Sequence, residues 1–145
     1  MESTQSLLEG YIIEYTAKKM KQGFAKVLHT KNIGITVDQW IILDILSITD
    51  SISQLSIAAK SGKDSPTVTR ILDILETKEI LHRNLDPSDR RKFLISLSAK
   101  GKKLIKRVKP MSVQYRSNCY TNLNKKDLEN LRKILNTISQ NLETT

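Results

Sequence analysis

Residues 64–98 read DSPTVTRILDILETKEILHRNLDPSDRRKFLISLS, and a change of periodicity within this stretch decides the fold. The first half spaces its apolar residues by three and four, which predicts a helix with one buried face. The second half contains two short apolar runs and predicts two strands. The stretch therefore indicates a helix followed directly by a β-hairpin. The inward positions of the helix are expected to be Val68, Ile71, Leu72 and Leu75.

The hairpin is expected to carry a long, charged tip between the runs ILHRNL and FLISLS. In the second run Phe93, Ile95 and Leu97 alternate with serines, which is typical of a half-buried strand. Residues 86–89, Asp-Pro-Ser-Asp, fit a type I turn. Residues 90–92 are three consecutive cations, so the tip is either a solvated loop or a probe for a negatively charged partner.

Helices are predicted before this stretch. Apolar spacing indicates a long helix over residues 5–29. Thr36 and Gln39 have the spacing of a capping box at the start of the next helix. A short helix over residues 53–60 then precedes a tight turn that ends in Pro66. Two short helices joined by a tight turn and followed by a hairpin are the layout of a winged helix-turn-helix.

Two more helices are predicted after the hairpin. Ser98 is expected to cap a helix over residues 99–118, and a last helix begins near Asn124. The apolar residues of this last helix form a narrow seam, which fits either a second subunit or a core within the chain. The seam consists of Leu128, Leu131, Leu135, Ile138 and Leu142.

The charge of the chain is concentrated in its middle third. The 145 residues carry a formal net charge of +9, and 39% hydrophobic residues fit one soluble globular domain. Residues 60–109 hold 14 Lys and Arg against 6 Asp and Glu. Such a segment indicates a polyanionic partner, bound with release of counterions. The alternative is that the excess cations only keep the protein soluble.

The start of the helix in the opening stretch has the residues that a DNA major groove requires. Short polar side chains there can reach base edges, while free N–H groups favour phosphate. The alternative is that the Ser and Thr residues are only caps and exposed positions. The candidate DNA-binding residues in this helix are Ser65, Thr67, Thr69 and Arg70.

The hairpin supplies the second group of candidate DNA-binding residues: Asp89, Arg90, Arg91 and Lys92. Asp89 can hold a neighbouring guanidinium in a fixed direction. An arginine oriented in advance suits the negative potential of a narrow minor groove, because less side-chain entropy is lost on insertion.

Four runs together resemble the MarR-type (multiple antibiotic resistance regulator) transcriptional regulators: TVDQWIILDIL, ISQLSIAA, DSPTVTRILDILE and DPSDRRKFLISLSAKGKKL. The resemblance implies a mainly α fold with a small β-hairpin, a winged helix-turn-helix with long N- and C-terminal dimerisation helices. It implies a DNA-binding lobe over residues 31–98 and dimerisation helices over 1–30 and 99–145. By motif position, Arg91 matches the arginine sent into the minor groove and Asp89 its orienting partner.

The resemblance also implies partners and a mode of control. The partners are a second copy of the chain, in a homodimer, and a palindromic double-stranded DNA operator. The mode of control is relief of repression by a small lipophilic or phenolic effector. Trp40, Tyr11, Tyr15 and Met20 are candidates for an effector pocket, although such residues are also typical of a core.

The sequence departs from the family pattern in two places. Glu79 stands where a Gly usually follows the recognition helix, and a left-handed backbone there would be strained for Glu. Ser61 and Lys63 replace positions that are commonly apolar, so a looser turn is expected before the recognition helix.

Other function classes are less well supported. His29 and His82 have no metal-ligand spacing with Cys119, and no phosphate loop or nucleophile elbow occurs, so no enzyme, metal or cofactor is expected. Cys119, the single cysteine, is either inert or a redox sensor. MESTQSLLEG does not read as a signal peptide, and no run could cross a bilayer, which favours a cytoplasmic protein without a membrane partner. A winged-helix module that binds protein or RNA is the alternative function.

Overall fold

The computed structural model describes residues 2–49 and 51–143, with side chains from residue 7 onward. The chain divides into two units, residues 1–113 and residues 114–145. Within the described residues there are six helices and three strands. In chain order they are α1 (Glu2–Thr30), α2 (Val37–Ile48), β1 (Ile52–Ser53), α3 (Gln54–Ser61), α4 (Ser65–Thr77), β2 (Leu81–Asp86), β3 (Asp89–Leu97), α5 (Ala99–Cys119) and α6 (Lys125–Glu143).

The architecture is the predicted mainly α, winged helix-turn-helix fold. Helices α3 and α4 form the helix-turn-helix, and strands β2 and β3 form the wing. The hairpin belongs to a three-stranded antiparallel sheet with the order β1-β3-β2, in which Ile52 pairs with Ile95. The additional strand β1 was not predicted, because two residues are too short to show a period of two.

The prediction of a long loop at the tip of the wing is wrong. The strands continue to Asp86 and Asp89, and only residues 87–88 form the turn between them. Leu85 lies opposite Phe93, whereas the next residue of β2 lies opposite Asp89. Residues 90–92 therefore have no partner on β2, and the three cations project from a bulge in β3.

Local hydrogen bonds explain where the helices of the first unit begin. The capping box is confirmed, since Gln39 N–H donates to Thr36 Oγ1 and Thr36 N–H donates to Gln39 Oε1, both at 3.1 Å. Ser53 caps α3, and Asp64 caps α4 by accepting from Thr67 N–H at 2.8 Å. Each cap satisfies an N–H that the helix leaves without a partner.

The core of the first unit lies between α2, α3, α4 and the sheet. Trp40, Ile57 and Ile95 are fully buried there, and the four inward positions predicted for α4 are buried as well. Each fully buried aliphatic side chain contributes roughly 1.5–3 kcal/mol. The core therefore holds α4 by one face and leaves the opposite face exposed.

The turn from α4 into the wing keeps a left-handed residue although the glycine is missing. Glu79 has a φ of 60°. Ser98 Oγ donates to Glu79 O at 2.6 Å and also accepts from Gly101 N–H at 3.0 Å, which confirms Ser98 as the cap of α5. A Cβ on Gly101 would lie 2.1 Å from Ile80 O, so only glycine allows α5 to begin this close to the wing.

The second unit contains the end of α5 and the whole of α6. Asn124 caps α6, because its Oδ1 accepts from Asp127 N–H at 2.9 Å. The predicted seam of α6 is exposed at Leu131, Leu135, Ile138 and Leu142 in the single chain. Among the described residues, no helix is both long and apolar enough to cross a membrane.

Candidate nucleic-acid interface

The N-terminus of α4 presents an exposed polar surface. Ser65 and Arg70 are exposed, and Thr67 and Thr69 are half-buried at its edge. Because the core holds α4 by its opposite face, these four side chains lie on the side available to a partner. The N–H groups of the first turn give this end a partial positive charge that favours anions.

Thr69 is tied to the preceding helix. Its Oγ1 accepts from Gln54 Nε2 at 2.6 Å and donates to Ser65 O at 3.0 Å. Gln54 therefore joins α3 to α4 on the surface of the helix-turn-helix. Sequence reasoning missed Gln54, because the contact spans 15 residues and follows no helical period.

Arg70 lies across the first turn of the same helix. Its Nη2 donates to Thr67 Oγ1 at 3.3 Å, a weak bond on an exposed surface. The pKa of the Asp64 carboxyl is lowered, first by the backbone N–H of Thr67 and then by the Thr67 side chain. The capping carboxylate therefore stays ionised and hydrogen-bonded to the first turn of α4.

In the wing, Asp89 contacts Arg91. Asp89 Oδ1 accepts from the Arg91 backbone N–H at 3.1 Å and from Nε at 3.3 Å, while the Arg91 side chain remains 91% exposed. This arrangement directs the guanidinium outward and leaves its Nη groups toward solvent. The structure thus brings together the aspartate and the arginine that the sequence singled out, and Arg90 and Lys92 lie beside them in the bulge.

The turn of the wing is closed by Asp86. Its Oδ1 accepts from Ser88 Oγ at 2.7 Å and from Ser88 N–H at 2.9 Å, an Asx-turn. The Ser88 hydroxyl and then the Ser88 N–H lower the pKa of the Asp86 carboxyl. The turn is therefore fixed from within by an ionised aspartate.

Arg83 joins the wing to α4, a contact that sequence reasoning missed. Its Nη2 donates to Asp73 Oδ1 at 2.6 Å and to Glu76 Oε1 at 3.0 Å, and its backbone N–H donates to Glu76 Oε2 at 3.1 Å. The Arg83 side chain lowers the pKa of Glu76, and the same hydrogen bond raises the pKa of Arg83. The two candidate DNA-binding elements are thereby held together by one guanidinium.

Lys63, expected to loosen the turn before α4, is instead held by an ion pair. Its Nζ lies 2.6 Å from Asp38 Oδ1. Lys21 of α1 lies 2.9 Å from the same oxygen. The bond from Lys63 lowers the pKa of Asp38 most strongly; partial burial opposes this effect and Lys21 adds to it. Ser61 also closes the turn, since its Oγ accepts from the Lys63 backbone N–H at 3.3 Å.

Two adjoining grooves have basic rims, and none of the candidate DNA-binding residues of α4 and the wing lines them. The larger, about 690 Å³, lies between α1, residues 33–36 and the start of α2, and Lys18, Lys21 and Lys78 are on its walls. The second, about 540 Å³, shares Lys78 and is otherwise lined largely by α5. None of the suggested pocket residues Trp40, Tyr11, Tyr15 and Met20 lines either groove; Trp40 is in the core, and Tyr11 and Tyr15 are exposed on α1.

The described side chains include no group of three His, Cys, Asp or Glu placed to hold a metal ion. Cys119 is exposed near the end of α5. The interface is therefore made of hydroxyl groups, a helix N-terminus and cations, which together can bind a polyanion by hydrogen bonds and charge.

Comparisons with known proteins agree with this geometry. Residues 35–93 match the model of the MarR family. The fold is similar to that of S. aureus MepR in complex with DNA, at 25% identity and a TM-score of 0.81 over 91% of this chain and 96% of MepR. It is also similar to a mutant MarR from E. coli complexed with operator DNA, at 20% identity and a TM-score of 0.82 over 92% and 95% of the two chains.

A third similar structure concerns regulation of DNA binding by 6-hydroxynicotinic acid in BpsR of Bordetella bronchiseptica. The identity is 21% and the TM-score is 0.80, over 91% of this chain and 98% of BpsR.

Proposed function

We propose that the chain is a MarR-family regulator of transcription, a homodimer that binds a palindromic double-stranded DNA operator; the match of residues 35–93 to the model of that family supports this. In this proposal it acts in the cytoplasm as a repressor rather than as an enzyme, and a small effector relieves repression. The observation that carries the proposal is Arg91, which is 91% exposed and yet directed by Asp89. An arginine held in this way is suited to insertion into a groove.

In the proposed complex α4 is the recognition helix and lies in a major groove. Ser65 and Thr67 lie in its first turn, where hydroxyl groups reach phosphates or base edges. Arg70 reaches guanine or the backbone once its weak bond to Thr67 is exchanged for a DNA contact. Thr69 keeps its bond to Gln54 and contributes mainly by fixing the position of α4.

The wing supplies the second contact, in the adjacent minor groove. Arg91 enters the groove, and Asp89 holds the Nε side of the guanidinium so that less freedom is lost on binding. Arg90 and Lys92 lie on either side of Arg91 in the bulge and bind the flanking phosphates.

A second copy of the chain is proposed to cover the exposed seam of α6. Leu131, Leu135 and Ile138 are each exposed, and four-residue and three-residue spacings keep them on one face of the helix. An isologous two-fold dimer presents two recognition helices to the two half-sites of a palindrome.

The two grooves with basic rims are proposed to take the effector. Their walls combine apolar residues such as Ile35 and Leu104 with Lys78 and Lys103, which favours a small lipophilic or phenolic molecule that carries an anionic group. To release DNA, the molecule must bind the DNA-free protein more tightly than the DNA-bound protein.

The experiment is fluorescence anisotropy with the duplex immediately upstream of the protein's own gene, against a scrambled duplex of equal length, over a salt series. We expect tight, selective binding to the upstream duplex that weakens steeply with salt. Salt-dependent binding without selectivity would direct the search for an operator elsewhere in the genome. Absence of binding to both duplexes at low salt would contradict the proposal and favour a winged-helix module for protein or RNA.

A further inference from the structure

The ion pair between Lys63 and Asp38 lies at the start of the recognition helix. Lys63 directly precedes Asp64, the residue that caps α4, and its side chain is only 16% exposed. Asp38 lies in the first turn of α2 and is therefore fixed by the capping box of that helix. A carboxylate on a rigid helix end thus holds the residue next to the cap of α4.

Lys21 extends this contact to a third element. Its Nζ lies 2.9 Å from both carboxylate oxygens of Asp38, so one side chain receives ammonium groups from α1 and from the turn before α4. Asp38 is therefore the point at which the long helix α1 is joined to the start of the recognition helix. Lys21 and Lys63 are 42 residues apart in the sequence, because they lie 17 residues before and 25 residues after Asp38.

The pair also determines where the charge of Lys63 is directed. A lysine beside the N-terminus of a helix that approaches DNA would reach phosphate readily, without regard to sequence. With its Nζ 2.6 Å from Asp38, the ammonium group is instead occupied within the protein. The contact thus fixes α4 and at the same time removes a cation that would strengthen non-specific binding.

We propose that Asp38 is a positioning residue for DNA recognition, which holds Lys63 so that α4 starts in one place and the Lys63 ammonium stays away from phosphate. This inference rests on the proposed function. Asp38 is not expected to touch DNA, and its effect is exerted through Lys63.

The test compares Asp38→Asn and Lys63→Met with a matched control, Asp44→Asn. Asp44 lies on the same helix and pairs with Lys109 of α5 at 2.5 Å, so the control removes an ion pair without touching the start of α4. For each variant, the affinities for operator and scrambled duplexes are measured over a salt series. Thermal unfolding of each variant is recorded separately.

We expect Asp38→Asn to lower the ratio of operator affinity to scrambled affinity by about twofold to thirtyfold, the range for residues that act on a site without contacting the ligand. For the scrambled duplex, the slope of log affinity against log salt concentration should become steeper by about 0.9 for each released lysine that reaches a phosphate. Lys63→Met should lower the same ratio without steepening the slope, since no cation is released. Asp38→Glu should restore the wild-type slope, and Asp44→Asn should change neither quantity.

The proposal is overturned if Asp38→Asn keeps the wild-type ratio, or loses no more of it than Asp44→Asn does. A merely structural role would lower the melting temperature of both variants and leave the ratio and the slope unchanged.

Hydrogen exchange of the DNA-free protein separates this inference from the proposed function. If the wild type binds neither duplex at low salt, the proposed function fails, but the amides of Thr67 and Val68, both bonded to Asp64, still report on the start of α4. Faster exchange at these two amides in Asp38→Asn than in Asp44→Asn supports the positioning role. Equal exchange overturns it.

Discussion

Asp89 Oδ1 accepts two hydrogen bonds from Arg91, one from the backbone N–H at 3.1 Å and one from Nε at 3.3 Å. The two bonds close a small ring at the base of the side chain and leave the end of the guanidinium unobstructed. The aspartate is 29% exposed and the arginine 91% exposed, so the pair adds little to stability. Its proposed value lies in the direction that it gives to one charged group.

Arg91→Ala is expected to weaken operator binding by at least ~1 kcal/mol, the lower end for a positioned arginine contact. The slope of log affinity against log salt concentration should become shallower by about one unit if the lost cation neutralises one phosphate. Anisotropy with the operator duplex measures both quantities. Arg116→Ala, an exposed arginine near the end of α5, is the control and should leave the affinity unchanged. Unchanged affinity in a folded Arg91→Ala protein would remove the wing from the mechanism.

Asp89→Ala is expected to cost less than loss of the arginine, about 0.5–1 kcal/mol, because the guanidinium is kept but must be ordered on binding. The loss should be smaller on the scrambled duplex, where no fixed direction is needed. The same anisotropy titrations test this. A gain in operator affinity on removal of the negative charge would show that Asp89 repels DNA rather than orients Arg91.

Arg83→Met is expected to lower the free energy of unfolding by up to ~1 kcal/mol at neutral pH, since Asp73 and Glu76 are both more than one-third exposed and solvent screens the pairs. The pKa of Glu76 is lowered from its ordinary 4.5, so the pair stabilises fully above that pH. The stabilisation is then lost as the pH falls through the lowered pKa that Glu76 has in the folded protein.

Urea unfolding at pH 7 and at successive values below pH 4.5 measures this prediction. The difference between wild type and Arg83→Met should shrink on acidification, and Glu76→Gln should remove most of the pH dependence of that difference. A difference that stays constant with pH would mean that the ionised Glu76 does not hold the wing.

Glu79→Gly is expected to stabilise the protein by about 0.5–1 kcal/mol. A left-handed residue with a Cβ costs roughly 1–2 kcal/mol, and the added freedom of glycine in the unfolded chain offsets part of that gain. Urea unfolding measures the change. Glu79→Ala is the control, because it removes the side chain but keeps the Cβ and should bring no gain. Equal gains in both variants would show that the Glu side chain, and not the backbone, carries the strain.

Leu135→Lys is expected to shift the proposed dimer toward monomers. The loss of one buried leucine costs roughly 1.5–3 kcal/mol, and an isologous interface loses it twice. Sedimentation equilibrium measures the dissociation constant. Asn136→Lys adds the same charge at the adjacent exposed position of α6 and should have little effect. A Leu135→Lys protein that stays as dimeric as wild type would exclude the seam of α6 from the interface.

The elements with strong periodicity were predictable from the sequence. The inward positions of α4 and the capping box at Thr36 follow from spacings of three and four, and both are confirmed. The wing was predictable as a hairpin, because alternation in FLISLS is a local signal. These features depend on residues that are neighbours in the sequence.

The features that were missed depend on residues far apart in the sequence or on strand residues that have no partner in the sheet. Arg83 pairs with Glu76 across seven residues and Lys63 with Asp38 across 25. Each pair joins two different elements, so neither a helical nor a strand period relates its members. The bulge of residues 90–92 was mistaken for a loop, because charged residues in a strand resemble a solvated tip. Glu79 was recognised as a departure, but only the structure shows that it keeps the left-handed backbone.

The bulge in β3 is a place where the length of the wing can change without shifting the register of the sheet. In a regular ladder, deletion of one residue would reverse the faces of every side chain beyond it. Here residues 90–92 have no partners on β2, so a shorter or longer run can be accommodated while Phe93 stays opposite Leu85. Ile95 then stays in the core. In the proposed complex, length changes at this point would alter how far Arg91 extends toward the DNA without any change to the core below.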